Sequence, residues 1–189
     1  MNYIHSYCKI TTGGVWLNGK KYFKSTSEPF VVGDFLTAIY KHIGVDYRRF
    51  YKMDVLSKLG FLASEILLAN SDREQPKPDM GIILFNKNAS LEGDRNFQKT
   101  IRDKDDFFPS PAEFVYTLPN IVNGEIAIRN KIYGETAFYV VADFQQDMLY
   151  EAIENMVNFA GMKRVLAGWA EVDAFTGEYN AFMVLCETQ

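Results

Sequence analysis

Between Phe50 and Ala69 apolar residues return at helical spacing, with Met53, Leu56, Leu59, Phe61, Leu62, Ile66 and Leu67 on the side to be buried. A polar, Pro-bearing connector, Ser71 to Pro78, then breaks the helix, and Met80 to Phe85 reads as a short apolar strand. This succession restricts the chain to an alternating α/β order rather than a repeat.

The rest of the sequence extends the alternation. Ile4 to Thr11 reads as a first strand, followed by turns at Gly13-Gly14 and Asn18-Gly19, the latter closing a hairpin from Val15-Trp16 to Tyr22-Phe23. Asp34 is expected to cap a short helix, Phe35 to His42, which Gly44 ends. Asn86 to Phe107 is polar and charged, either a surface loop or a segment with a short helix around Phe97 to Ile101. An aromatic-rich strand, Ala137 to Ala142, leads into a helix from Phe144 to Phe159. On that helix Asp147, Glu151, Glu154 and Asn158 form one polar stripe, with Met148, Leu149, Ala152, Ile153, Met156 and Val157 opposite. Asn180 to Glu187 is a final apolar strand, reached through a bridge from Val172 to Tyr179.

At 189 residues, 48% apolar and 15% aromatic, the sequence has the size and content of a single domain, 1–189, with a sizeable core. A net charge of -4 and the lack of a basic stripe give no electrostatic reason for nucleic-acid binding; Lys20-Lys21 and Arg48-Arg49 read as solvated faces. Neither a signal-peptide run nor a stretch long enough to span a bilayer is present, so a cytoplasmic location without membrane association is expected. Cys8 and Cys186 lack metal-ligand spacing and are expected to be free reduced thiols, and no metal or cofactor site is expected.

Several segments carry a family resemblance. Arg48-Arg49-Phe50-Tyr51-Lys52-Met53-Asp54 with Leu56-Ser57-Lys58-Leu59 forms a basic-aromatic approach to a helix, and Met80 to Phe85 supplies the strand that follows. Pro109-Ser110-Pro111 leads to Thr117-Leu118-Pro119-Asn120, then Gly124-Glu125-Ile126-Ala127-Ile128-Arg129 and Gly134. Val165 to Gly168 and on to Glu171 closes the pattern. Together these resemble the N-terminal half of beta-ketoacyl-acyl carrier protein synthases, members of the thiolase-like superfamily. The resemblance implies one half of a thiolase-like fold: a mixed five-stranded sheet, four strands parallel and the last antiparallel, with helices on both faces.

In that family a cysteine nucleophile stands at the start of the helix after the Ala137 to Ala142 strand. Counting back from Gly168 by the family's interval places Asp143 there. Acyl transfer from a carrier thioester needs a thiolate, whose pKa a helix N-terminus depresses; a carboxylate there cannot hold a productive thioester. The resemblance also requires downstream histidines, or a histidine and an asparagine, from a second half that this sequence does not match. His5 and His42 lie too early to serve.

The resemblance therefore implies a protein without condensing activity of its own. It is expected to act like a chain-length factor, as partner of an active ketosynthase in fatty acid, polyketide or polyene assembly. Alternatives are a stand-alone acyl-chain or small-ligand binding protein and a residual thioester-processing enzyme. Implied partners are a second copy or a ketosynthase, with acyl carrier protein as a further one. The candidate interface or pocket comprises Phe138, Tyr139, Val140, Asp143, Phe144 and Asn120, with Asp143 expected to cap the following helix.

Overall fold

A computed structural model describes residues 2–24 and 31–188. Strand β1 (Asn2–Thr11) is followed by the hairpin of β2 (Gly14–Leu17) and β3 (Lys20–Phe23). The hairpin turns on Asn18 and Gly19, at φ 51 and 76, the left-handed pair that matches the twist of its strands. Helix α1 (Val32–Ile43) starts at Val31, not at Asp34, whose backbone N–H already donates to the Val31 carbonyl at 3.0 Å. Asp34 instead adds a carboxylate to the first turn, and Gly44, at φ 66, closes the helix as expected.

The run from Phe50 to Ala69 is not one helix. Arg48–Lys52 forms a 3-10 turn, Met53 is extended, and α2 (Val55–Leu67) begins anew with the Asp54 carboxylate accepting from the Ser57 N–H at 2.8 Å. Nearly every residue of α2 is buried, because it lies between the sheet on one side and α1 and α5 (Ile121–Asn130) on the other. Gly60 permits that approach: a Cβ there would stand 2.4 Å from a Val122 methyl.

Strand β4 (Met80–Asn86) is wholly buried, as its unbroken apolar sequence requires. The polar stretch after it contains α3 (Leu91–Lys99), earlier than the expected Phe97 to Ile101, and α4 (Pro111–Val115) precedes α5. Then come β5 (Thr136–Val140), α6 (Gln146–Asn158), β6 (Arg164–Val172) and β7 (Tyr179–Thr188).

The sheet among the described residues has seven strands in the order β3-β2-β1-β7-β6-β4-β5, which corrects the expected five. Strands β4, β5 and β6 are mutually parallel, β7 runs antiparallel to β6, and β1 antiparallel to β7. Thus β1, β4, β5 and β6 share one direction and β7 opposes them, the expected core. The two further strands come from the β2–β3 hairpin, which pairs onto the outer side of β1 instead of standing apart. Helices cover both faces: α1, α2 and α5 pack on the larger core, and α6 lies on the other side over Ile83, Phe85, Val165, Ala167 and Trp169.

Candidate functional site

The parallel strands β4, β5 and β6 end together, and their loops form the surface on which the candidate residues lie. Asn86, the last residue of β4, both donates to and accepts from Ala89, at 2.8 and 3.0 Å, holding Ala89 at φ 50. Glu171, near the end of β6 and buried, accepts from the backbone N–H of Lys87 at 2.6 Å and from the Asn88 side chain at 2.8 Å. One carboxylate thus fixes the loop after β4 and converts its backbone donors into bonded groups.

Asp143 follows β5 by three residues, and its side chain is 80% exposed. Its partner is the Lys87 amine at 3.7 Å, itself more than half exposed. Asp143 is not the cap of α6: that helix begins at Gln146, with Gln145 as its N-cap and no side-chain cap bond. The reason is local, since β5 is prolonged by the Val141 N–H donating to Asn86 at 2.9 Å and the chain stays non-helical through Gln145.

The other candidate residues are split across the sheet. Phe138 is half-buried against the larger core, whereas Tyr139 points to the α6 side and stacks on Phe85 at 5.0 Å. Phe144 sits edge-on to Trp169 at 5.8 Å and to Phe182 at 6.2 Å. Tyr139 and Val140 remain 47% and 53% exposed. Among the described residues strand β5 is the sheet's edge, bonded only to β4. The Ile82 N–H donates to Glu135 and the Val141 N–H to Asn86, so alternation turns the backbone of Thr136, Phe138 and Val140 outward. Asn120 is exposed ahead of α5, with no side-chain cap bond. The structure therefore brings Tyr139, Val140, Asp143 and Phe144 to one end of the sheet, but puts Phe138 on the opposite face and leaves Asn120 beyond hydrogen-bond reach of Asp143.

Neither thiol is placed to act as a nucleophile. Cys8 and Cys186 are buried in the two cores, and burial pushes their pKa up to about 12 and about 11, so both stay protonated at neutral pH. His5 lies in the first half of β1, toward the far end of the sheet from Asp143, and His42 packs its ring against Tyr22 and Phe23. Among the described residues no cluster of His, Cys, Asp and Glu is arranged to hold a metal ion, and no helix is long and apolar enough to cross a membrane.

Three buried ionic groups escaped the sequence reading. Glu65, inside α2 and wholly buried, pairs with Arg73 at 3.1 Å and Arg129 at 3.5 Å, and Arg129 lies over the Tyr47 ring. Glu125 pairs with Arg49 at 2.9 Å, so one member of the Arg48-Arg49 pair is an ion-pair partner and not merely a solvated charge. The Lys77 amine donates to the carbonyls of Asp72, Gln75 and Asn130, and its burial lowers its pKa. The signal for the first was present: a lone glutamate within the apolar Phe61 to Leu68 stretch needs a cation.

No protein-family model matches the sequence, and no curated protein matches it. Solved structures do match. A chain of the ishigamide ketosynthase/chain length factor superposes with a TM-score of 0.69 at 15% identity, covering 99% of this chain and 62% of that one. A chain of the ketosynthase in complex with its chain length factor from Xenorhabdus doucetiae gives 0.67 at 15% identity, covering 100% of this chain and 79% of that one. A beta-ketoacyl synthase from Burkholderia phymatum STM815 gives 0.62 at 12% identity, with coverage of 100% and 59%. These likenesses show a ketosynthase-like α/β fold. The chain spans less than two thirds of the ishigamide and Burkholderia chains.

Proposed function

We propose that this protein is a non-catalytic, ketosynthase-like protein that acts as a chain-length-factor-like partner of an active ketosynthase in fatty acid, polyketide or polyene assembly. The observation that carries the reading is Asp143. It stands on the turn between β5 and α6 where the resemblance puts the nucleophile, open to solvent, with an amine and no imidazole as its partner. A carboxylate so placed forms no thioester, and both thiols of the chain are buried and protonated.

Two features support a partner. Chains similar in fold come from a complex of a ketosynthase with its chain length factor and from a complex of an acyl-carrier protein with its ketosynthase. The outward backbone of β5 offers unpaired donors and acceptors beside exposed Val140 and Tyr139, and a second sheet edge would satisfy them. The test is a pull-down from native cell extract with identification of the bound protein, followed by reconstitution with that protein and acyl- and malonyl-carrier protein. Recovery of a ketosynthase whose product length changes on adding this chain supports the reading; ketoacyl product from this chain alone overturns it.

One observation favours a second reading, a stand-alone acyl-chain binding protein. An open apolar groove of about 820 Å³ runs between α6 and β7, lined by Phe144, Leu149, Ile153, Phe182 and Val184. Saturable displacement of a fluorescent fatty-acid probe from the purified chain, without recovery of any ketosynthase, selects it.

A further inference from the structure

We infer that the groove between α6 and the edge strand β5 is a docking site for a basic amphipathic helix of a partner protein. Among the described residues a single helix, α6, covers its side of a seven-stranded sheet, and they leave the sheet bare on both flanks of that helix. On the β5 flank the space amounts to about 420 Å³, with an apolar floor of Ile83, Phe85 and Met156 and apolar walls of Tyr139, Met148 and Phe159. Phe159 is 86% exposed, and Tyr139 and Met148 are exposed beside it. A contiguous apolar surface of this kind marks an interaction site more often than chance.

Charge decides what occupies it. The rim is formed by Glu135 and Glu151, and neither is in an ion pair among the described residues. From Ala142 to Met162 the sequence has no Lys, Arg or His, while Asp143, Asp147, Glu151 and Glu154 are acidic. An uncharged chain laid in the groove would strip water from two carboxylates and return nothing. A second copy presenting its own α6 would set acid against acid, and an anionic bilayer or nucleic acid would be repelled in the same way. A helix with apolar residues at i, i+3, i+4 and i+7, flanked by Lys or Arg, satisfies both components: its apolar side meets Tyr139, Met148 and Phe159, and its cations reach Glu135 and Glu151. The 13 residues of α6 give a wall about 20 Å long, enough for nearly four turns of such a helix. This surface is separate from the outward backbone of β5, and the inference does not depend on the partner being a ketosynthase.

The test titrates the full chain into a fluorescein-labelled 18-residue synthetic Leu/Lys peptide whose leucines share one helical face, read by anisotropy. A scrambled peptide of the same composition and a Leu/Glu peptide accompany it. The ordered Leu/Lys peptide is expected to bind saturably and at least ten-fold more tightly than either. Glu135→Lys/Glu151→Lys and Phe159→Ser are each expected to weaken it at least ten-fold. Asp105→Lys/Asp106→Lys, an equal charge change on an exposed loop, is expected to alter it less than two-fold. Equal binding of the scrambled peptide, or an equal loss in the loop variant, would overturn the site in favour of diffuse charge attraction. Concentration-dependent self-association that Phe159→Ser abolishes, measured by sedimentation, would identify a second copy as the occupant and also overturn it. Phe159 is so exposed that its replacement leaves the fold intact, which keeps the result readable.

Discussion

The Glu171 carboxylate on β6 lies 2.6 Å from the backbone nitrogen of Lys87, two strand ends joined by one charge-assisted hydrogen bond. The same carboxylate also receives the Asn88 side chain at 2.8 Å. Glu171→Ala leaves those donors unmet in a buried place and is expected to cost on the order of 2 to 3 kcal/mol, seen as a lower urea midpoint. A loss below 0.5 kcal/mol would show that water replaces the carboxylate and that the loop is not fixed by it.

Asp143 offers the opposite case. Its side chain is 80% exposed and its only ionic contact among the described residues, Lys87 at 3.7 Å, is in solvent. Asp143→Ala is therefore expected to change stability by less than about 0.5 kcal/mol, in contrast to the roughly 1 kcal/mol that a helix cap would contribute. Thermal unfolding of both forms at equal concentration checks it. A loss of a full kilocalorie would restore the capping role.

Restoring a thiol at that turn should not restore chemistry. In Asp143→Cys the new side chain would stand ahead of α6 with no imidazole beside it, because His5 and His42 belong to distant parts of the fold. Nothing would then activate the thiol or hold the developing oxyanion. Incubation with acyl- and malonyl-carrier protein is expected to give no ketoacyl product; turnover by this variant alone would show that another group supplies those roles.

The pH dependence of stability has a defined sign at Asp54. Burial raises the pKa of Asp54 above its ordinary 3.8, and burial followed by the charge of Asp54 raises that of Glu92. A carboxyl whose pKa is higher folded than unfolded binds more protons in the native state between the two values, so stability falls as pH rises through that window. Asp79 opposes this, since its hydrogen bond to Arg164 depresses its pKa and contributes stability that is lost as pH falls. Asp54→Asn keeps an N-cap acceptor for Ser57 and removes one ionisation, so its urea midpoint should fall less than that of the parent from pH 4 to 7. Parallel profiles for the two proteins would assign the pH response to other groups.

Periodicity and turn chemistry carried the larger architecture, and long-range pairing carried what they missed. The parallel core strands are legible because each is an apolar run bounded by turn residues. That the Asn18-Gly19 hairpin joins the sheet depends on partners such as Cys8 and Leu17, distant in sequence and unmarked by pattern. Asp54 occupies a polar position in a helical run and looks like a surface residue; only the extended Met53 before it makes it a cap. At the candidate site, strand alternation puts Phe138 and Tyr139 on opposite faces, which follows from the sequence once the strand is accepted. The start of α6 did not follow, because local cap preference favours Asp143 over Gln145, and what overrides it is the long-range bond from Val141 to Asn86 that prolongs the strand pairing.

That alternation also decides how the proposed assembly through β5 is tested. Phe138 packs against its own core, so Phe138→Asp would damage the fold and could not isolate an interface. Val140 is better placed, being 53% exposed with its backbone N–H directed away from β4. Val140→Pro deletes that outward donor without removing a bond of the β4–β5 ladder, a position where an edge strand tolerates proline. If a second sheet edge pairs there, the variant should keep its circular dichroism spectrum while its dimer, with itself or with a ketosynthase, dissociates at least ten-fold more readily by light scattering at micromolar concentration. An unchanged dimer would move the interface away from β5, and a parent protein that is monomeric both alone and with the ketosynthase would remove the partner reading along with it.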